Sequence, residues 1–236
     1  MLELSQVHIG YKELLFKIEE LSLKTGQLVS VIGKNGTGKT TFLNTILGLN
    51  KPLHGILKVD GKNIQELNRN EKVKIFSHVS SKLEGIDYLT VYDLIAMGRA
   101  PYTNMLNQLR DIDRSIVENI IDKLNLSHLK GSSTAQISDG ERQIAMIGKA
   151  LAQETRIIIL DEPTAFLDYT NRRKALKLLS DIARENDKLI LVTTHNLDLS
   201  IEFSNLILAV SPDEKRIKIY PPKTSKELLI DEVFGE

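Results

Sequence analysis

Lys39 and Thr40 close the run Gly33-Lys34-Asn35-Gly36-Thr37-Gly38-Lys39-Thr40, which satisfies the pattern GxxxxGK[ST] at every fixed position. Those residue types suit polyphosphate chemistry. Glycines let successive backbone N–H groups converge on anionic oxygens, Lys39 adds a point charge for β- and γ-phosphates, and the Thr40 hydroxyl can ligate Mg²⁺. Two further candidates follow apolar runs. Asp161 and Glu162 come directly after Ile157-Ile158-Ile159-Leu160; Asp161 would hold Mg²⁺ through water, and Glu162 would orient or deprotonate the water attacking the γ-phosphorus. His195 closes Leu191-Val192-Thr193-Thr194 and could hydrogen-bond the γ-phosphate. Lys39, Glu162 and His195 are therefore the catalytic candidates, Thr40 and Asp161 the metal candidates, and Gly33 through Thr41 the phosphate cradle. His8, His54, His78 and His128 read as structural or surface residues.

Elements must bring these groups to one edge. The apolar run Leu28–Ile32 predicts a strand before the loop and Thr41–Leu47 a helix after it, so the unpaired N–H groups and positive dipole end of that helix lie under the phosphates. In parallel α/β sheets ligands sit beyond the carboxyl ends of strands, which is where Asp161, Glu162 and His195 fall. The side chains of Asp161 and Glu162 are expected on opposite sides of an extended chain, with Pro163 ending the strand. Elsewhere, Leu2 to Ile32 reads as mostly β, and Gly55–Val59 as a strand. A short helix or turn from Asn70 leads into a strand over Lys74–Val79. Ile116, Val117, Ile120, Ile121 and Leu124 share one helical face, as do Ile144, Ile147 and Leu151. Strands over Arg156–Leu160, Lys188–Thr193 and Leu206–Val210 alternate with helices, including one over Leu197–Phe203. The expectation is an α/β fold in one domain, 1–236: a mostly parallel sheet covered on both faces, an N-terminal antiparallel β subdomain, and a helical block inserted at about 84–150.

Composition narrows the function classes. The 31 Lys and Arg balance 31 Asp and Glu, so no general nucleic-acid footprint is present. There is no cysteine, which removes disulfides and thiolate chemistry. The first residues, Met1-Leu2-Glu3-Leu4, lack a basic region leading into an apolar one, and no run approaches the ~20 apolar residues of a bilayer span. The chain is expected to be neither exported nor membrane-spanning.

Five motifs then stand in a familiar order: Gly33–Thr40, Ser138-Asp139-Gly140-Glu141-Arg142-Gln143, Ile157–Glu162, Ala165-Phe166-Leu167-Asp168 and Thr194-His195-Asn196. Over nearly its whole length the chain resembles the ATP-binding cassette ATPases, the motor subunits of ABC transporters. The resemblance implies a P-loop NTPase core, ATP and Mg²⁺ as cofactors, and ATP hydrolysis. It also implies that Tyr11 stacks on adenine, that Ser138 and Gly140 face the γ-phosphate bound by the partner subunit of a head-to-tail homodimer, and that Asp168 sits at the dimer seam. More narrowly, Leu89-Thr90-Val91, Met97-Gly98-Arg99-Ala100-Pro101-Tyr102 and the tail Tyr220–Glu236 resemble the subgroup that powers uptake of iron-siderophore complexes, haem or cobalamin. Integral membrane permease subunits, a substrate-binding protein and a peripheral place on the cytoplasmic face of the cell membrane would follow, with no nucleic acid as partner. The rival is a soluble ABC ATPase of nucleic-acid repair, translation or cofactor assembly.

The stretch Leu83–Tyr102, with Ile86, Tyr88, Leu89, Val91 and Tyr92, reads either as the permease-facing surface or as core. Two positions depart from the family pattern. LSGGQ is replaced by Ile137-Ser138-Asp139-Gly140-Glu141, whose carboxylates repel phosphate unless they turn away or meet a cation such as Arg142. The Gln that usually follows the strand before the helical block falls on Ser81, the third metal-site candidate, whose side chain is too short to reach both metal and water.

Overall fold

The computed structural model describes residues 1–80, 88–104, 108–211 and 213–234. Ser81, Leu83 and Ile86 lie outside the described residues. The architecture grows from strands with no polar face: Ile157–Leu160 (β7) and Leu189–Thr193 (β8) are buried along their whole length, and Gln27–Ile32 (β3) nearly so. Such runs are stable only when both faces of the sheet are covered. With Phe76–Val79 (β6) and Leu206–Ser211 (β9) they form a parallel half-sheet in the order β9-β3-β8-β7-β6. Val31 of β3 pairs with Thr193, and Leu160 of β7 with Val192. This register ends β3, β8 and β7 level with one another, which sets the residues following each of them side by side.

The N-terminal strands Leu2–Gly10 (β1) and Leu14–Leu23 (β2), with His54–Val59 (β4) and Lys62–Asn63 (β5), form the antiparallel half. Arg216–Tyr220 (β10), a strand absent from the sequence reading, runs antiparallel to β9 and meets β2 through Arg216 and Lys17, so the described residues make one 10-stranded sheet. Another boundary also shifts. Lys74 and Ile75, expected in a strand, close the helix Arg69–Ile75 (α2), because an Asn68–Glu71 capping box starts that helix and Lys72 and Lys74 complement its C-terminal end.

The helical block comprises Val91–Ala96 (α3), Asp111–Lys123 (α4) and Asp139–Ala152 (α5). Of the stretch left open between surface and core, Val91 is buried and Leu89 and Tyr92 pack against the core, while Tyr88 is fully exposed. The Met97–Tyr102 run is a 3-10 turn that staples the block together. Arg99, only 3% exposed, donates through Nε to Asp113 Oδ1 at 3.0 Å and through one terminal nitrogen to the Ala152 carbonyl and to Glu154 Oε2, both at 2.7 Å. Tyr102 donates to the Gln153 carbonyl at 2.9 Å. A Cβ on Gly98 would lie 2.2 Å from the Lys149 carbonyl oxygen, so the close approach of this turn to α5 requires glycine.

Two predictions concern this packing. Asp113 is fully buried between Arg99 and Arg110, and the hydrogen bonds from Arg110 lead in lowering its pKa from 3.8 to about 2. A depressed carboxylate stabilises the fold above its unfolded pKa and loses that contribution as pH falls through the folded value. The stability advantage of wild type over Asp113→Asn, measured by urea unfolding, should therefore be largest above pH ~4 and shrink toward pH ~2. Gln143 on α5 is fully buried, and neither polar atom of its side chain has a hydrogen-bond partner among the described residues. An unsatisfied buried amide costs about 1–3 kcal/mol, so Gln143→Met, close in volume, should raise the melting temperature by several degrees. A lower value would show that the amide is satisfied in solution.

Candidate functional site

The loop after β3 bends through Gly36 (φ 79°) and Gly38 (φ 99°), both in the left-handed region that favours glycine. At Gly38 a Cβ would also lie 2.8 Å from Leu15 of β2. Helix Lys39–Ile46 (α1) follows at once, with Gly38 as its N-cap and no side-chain cap, which leaves its first N–H groups to an external anion. Lys39 is buried, and its ammonium folds back onto the loop, donating to the carbonyls of Gly33 at 2.8 Å and Lys34 at 3.0 Å. Burial lowers its pKa, opposed by the nearby charges of Glu162 and Asp161.

The level strand ends do the rest. Thr40 donates to Asp161 Oδ2 at 2.8 Å. The other carboxylate oxygen accepts from Thr193 Oγ1 at 2.6 Å, and that same hydroxyl accepts from the Glu162 N–H at 2.8 Å. Glu162 Oε1 lies 2.7 Å from His195 Nε2. One expectation is corrected here: the chain is not extended at Glu162, whose φ of 49° puts it in the left-handed region. The turn begun there, closed by a hydrogen bond from the Ala165 N–H to the Glu162 carbonyl, aims the carboxylate at His195. Lys39, Thr40, Asp161, Glu162 and His195 thus meet at one edge.

Thr193 belongs with them and escaped the sequence reading. Its signal is the first of two hydroxyls, Thr193-Thr194, that follow the apolar run Leu189-Ile190-Leu191-Val192.

Tyr11 stands on the turn between β1 and β2, 65% exposed, its hydroxyl accepting from Asn50. Ser138 and Gly140 are elsewhere. They line a cleft with Leu167, Asn171 and Lys174, apart from the one lined by Glu162 and His195. Ser138 caps α5, and both carboxylates of the departing signature are engaged within the chain. Glu141 Oε2 accepts from the Ser138 N–H at 2.9 Å and its hydroxyl at 2.7 Å, bonds that lower the Glu141 pKa, while Asp139 meets Arg142 at 3.3 Å. Asp168 caps the helix Tyr169–Glu185 (α6) through the Asn171 N–H.

Among the described residues no three His, Asp or Glu side chains are grouped to hold a metal. A pair such as Thr40 and Asp161 fits the few protein ligands that Mg²⁺ needs, since that ion usually keeps several waters and takes further oxygens from substrate phosphates.

Residues 16–165 match the family model described as ABC transporter. The iron(3+)-hydroxamate import ATP-binding protein of Bacillus subtilis is 30% identical, with 100% of this chain and 86% of that protein covered. An uncharacterised ABC transporter ATP-binding protein of Methanocaldococcus jannaschii is 31% identical over 99% of this chain and 81% of its own length. Among solved structures, an inward-facing ABC transporter assigned to the metal-chelate type superposes with a TM-score of 0.85 at 26% identity, covering 99% of this chain and 88% of that one. The chain belongs to the ABC transporter family as an ATP-binding subunit that hydrolyses ATP.

Proposed function

We propose that the chain is the motor subunit of an importer for iron-siderophore complexes, haem or cobalamin. Its domain, 1–236, would lie peripherally on the cytoplasmic face of the cell membrane, held by integral permease subunits that receive cargo from a substrate-binding protein. Among the described residues no helix is long and apolar enough to cross a membrane, so the pathway for cargo would belong to the permease. The named relative for iron(3+)-hydroxamate import supports the substrate class. The neutral charge balance and the lack of support among the matches weigh against a nucleic-acid or assembly role.

The observation that carries the chemistry is the convergence of the Thr40–Asp161 and Glu162–His195 contacts beside Lys39. Lys39 would exchange the loop carbonyls for phosphate oxygens, which restores to the ammonium the charge compensation that burial removed. Tyr11 would stack on adenine. Thr40 and Asp161 would hold Mg²⁺, which would supply positive charge against the negative charge that develops on the phosphate oxygens. Glu162 would orient and deprotonate the attacking water, with His195 fixing the direction of its carboxylate. Ser138 and Gly140, at the N-terminus of α5, would close over the γ-phosphate of a second copy. In that closed state the Ser138 hydroxyl turns from Glu141 to the phosphate.

Glu162→Gln should retain ATP binding and accumulate as an ATP-bound dimer on size exclusion while hydrolysis falls at least a hundredfold. Wild-type turnover in that variant would remove Glu162 from its role. Affinity capture from a detergent extract should recover a polytopic membrane protein in stoichiometric amount. Recovery of ribosomes or nucleic acid in its place would sink the importer reading.

A further inference from the structure

We infer that Thr193 is a positioning residue for hydrolysis: its buried hydroxyl locks the geometry of the Asp161–Glu162 pair from the end of β8. Nothing in the strand calls for a polar group there. Leu189 to Val192 are all apolar and buried, and a valine would fill the same volume with high strand propensity. A hydroxyl taken out of water is tolerated only where it is fully hydrogen-bonded. Thr193 meets that condition through the two consecutive residues that do the chemistry, donating to Asp161 Oδ1 at 2.6 Å and accepting from the Glu162 N–H at 2.8 Å.

The second bond falls on a strained residue. Glu162 occupies the left-handed region, which a side chain with a Cβ rarely adopts and keeps only where its surroundings hold it. Thr193 holds its N–H, so the turn that aims the Glu162 carboxylate starts from a pinned atom. Two residues beyond the end of that strand, His195 touches that carboxylate from the other end. One strand end thereby sets both the backbone and the side-chain terminus of Glu162. The two threonines on Asp161 also divide their work. Thr40 belongs to the nucleotide loop, and its hydroxyl, which donates to Asp161 Oδ2, is one of the groups that would hold a cation. Thr193 lies behind the site on the opposite oxygen and keeps Asp161 in place throughout.

The inference rests on the reading of Glu162 as the residue that activates water. The test compares steady-state MgATP hydrolysis and thermal melting for Thr193→Val and Thr193→Ser, with Thr193→Ala in place of valine if the valine variant does not fold. Loss of the hydroxyl should lower kcat at least tenfold, about 1.4 kcal/mol in the barrier, while KM for MgATP changes less than threefold. Thr193→Ser, which keeps the hydroxyl, should return kcat to within threefold of wild type. Placed in the Glu162→Gln background, Thr193→Val should lower turnover by a smaller factor than it does in wild type, since the part of its effect that runs through Glu162 is already lost and only the part that runs through Asp161 remains. Wild-type kcat in the variant lacking the hydroxyl, a loss confined to KM, or a serine variant as impaired as the valine one each overturns the inference. An inactive Glu162→Gln beside an unimpaired Thr193→Val overturns the inference alone, whereas wild-type turnover in Glu162→Gln overturns the reading of Glu162 and the inference with it.

Discussion

A carboxylate 4% exposed at the edge of a parallel sheet has to be surrounded by donors, and the geometry of this protein follows from how Asp161 meets that demand. One oxygen takes the hydroxyl of Thr40 at the start of α1, and the other takes that of Thr193 at the end of β8. Three elements distant in sequence are thereby fixed to one another within hydrogen-bond tolerance. Lys39, one residue before Thr40, and Glu162, one residue after Asp161, inherit their places from this bond pair. The register of β7 and β8 makes it possible, because a shift of one residue in this pairing would turn the Thr193 hydroxyl to the opposite face relative to Asp161.

The signature segment shows a different solution to the same problem of charge. Asp139 and Glu141 put two carboxylates into the first turn of α5, and both are engaged within the chain. Arg142 engages Asp139, and Glu141 folds back onto the N–H and hydroxyl of Ser138 as the second half of a capping box. Negative charge in the first turn also favours the helix itself through its dipole. The start of α5 and the backbone around Gly140 keep their N–H groups for a ligand, the part of the motif that needs no charged side chain.

That helix is held at its far end by the Arg99 staple and by Gln153, whose side-chain amide donates to the carbonyls of Val73 and Phe76. The C-terminal end of α5 is therefore attached both to the helical block and to the chain entering β6. The antiparallel half-sheet has a separate role: Leu15 and Phe16 of β2 pack behind Gly38, so the β1–β2 hairpin that carries Tyr11 is also a wall of the phosphate loop.

Much of this was legible in the residues. The GxxxxGK[ST] spacing, the unbroken apolar runs before Asp161 and His195 and the helical faces around Val117 and Ile147 are local patterns, and local patterns determine the strand–loop–helix unit, the class of fold and the edge at which chemistry occurs. The tertiary structure decided what depends on atoms far apart in the chain. Thr193 could not be singled out, because a threonine at a strand end is ordinary until its partners across 31 and 32 residues are known. The backbone of Glu162 departs from the extended chain that its apolar run suggests because β7 ends two residues earlier, at Leu160, and a turn begins at Glu162. β10 was overlooked because Arg216-Ile217-Lys218-Ile219-Tyr220 is a short alternating segment at a sheet position that only β9 and β2 together define. The two carboxylates of the signature were a puzzle in one dimension, since sequence states a charge but not the direction in which its side chain turns.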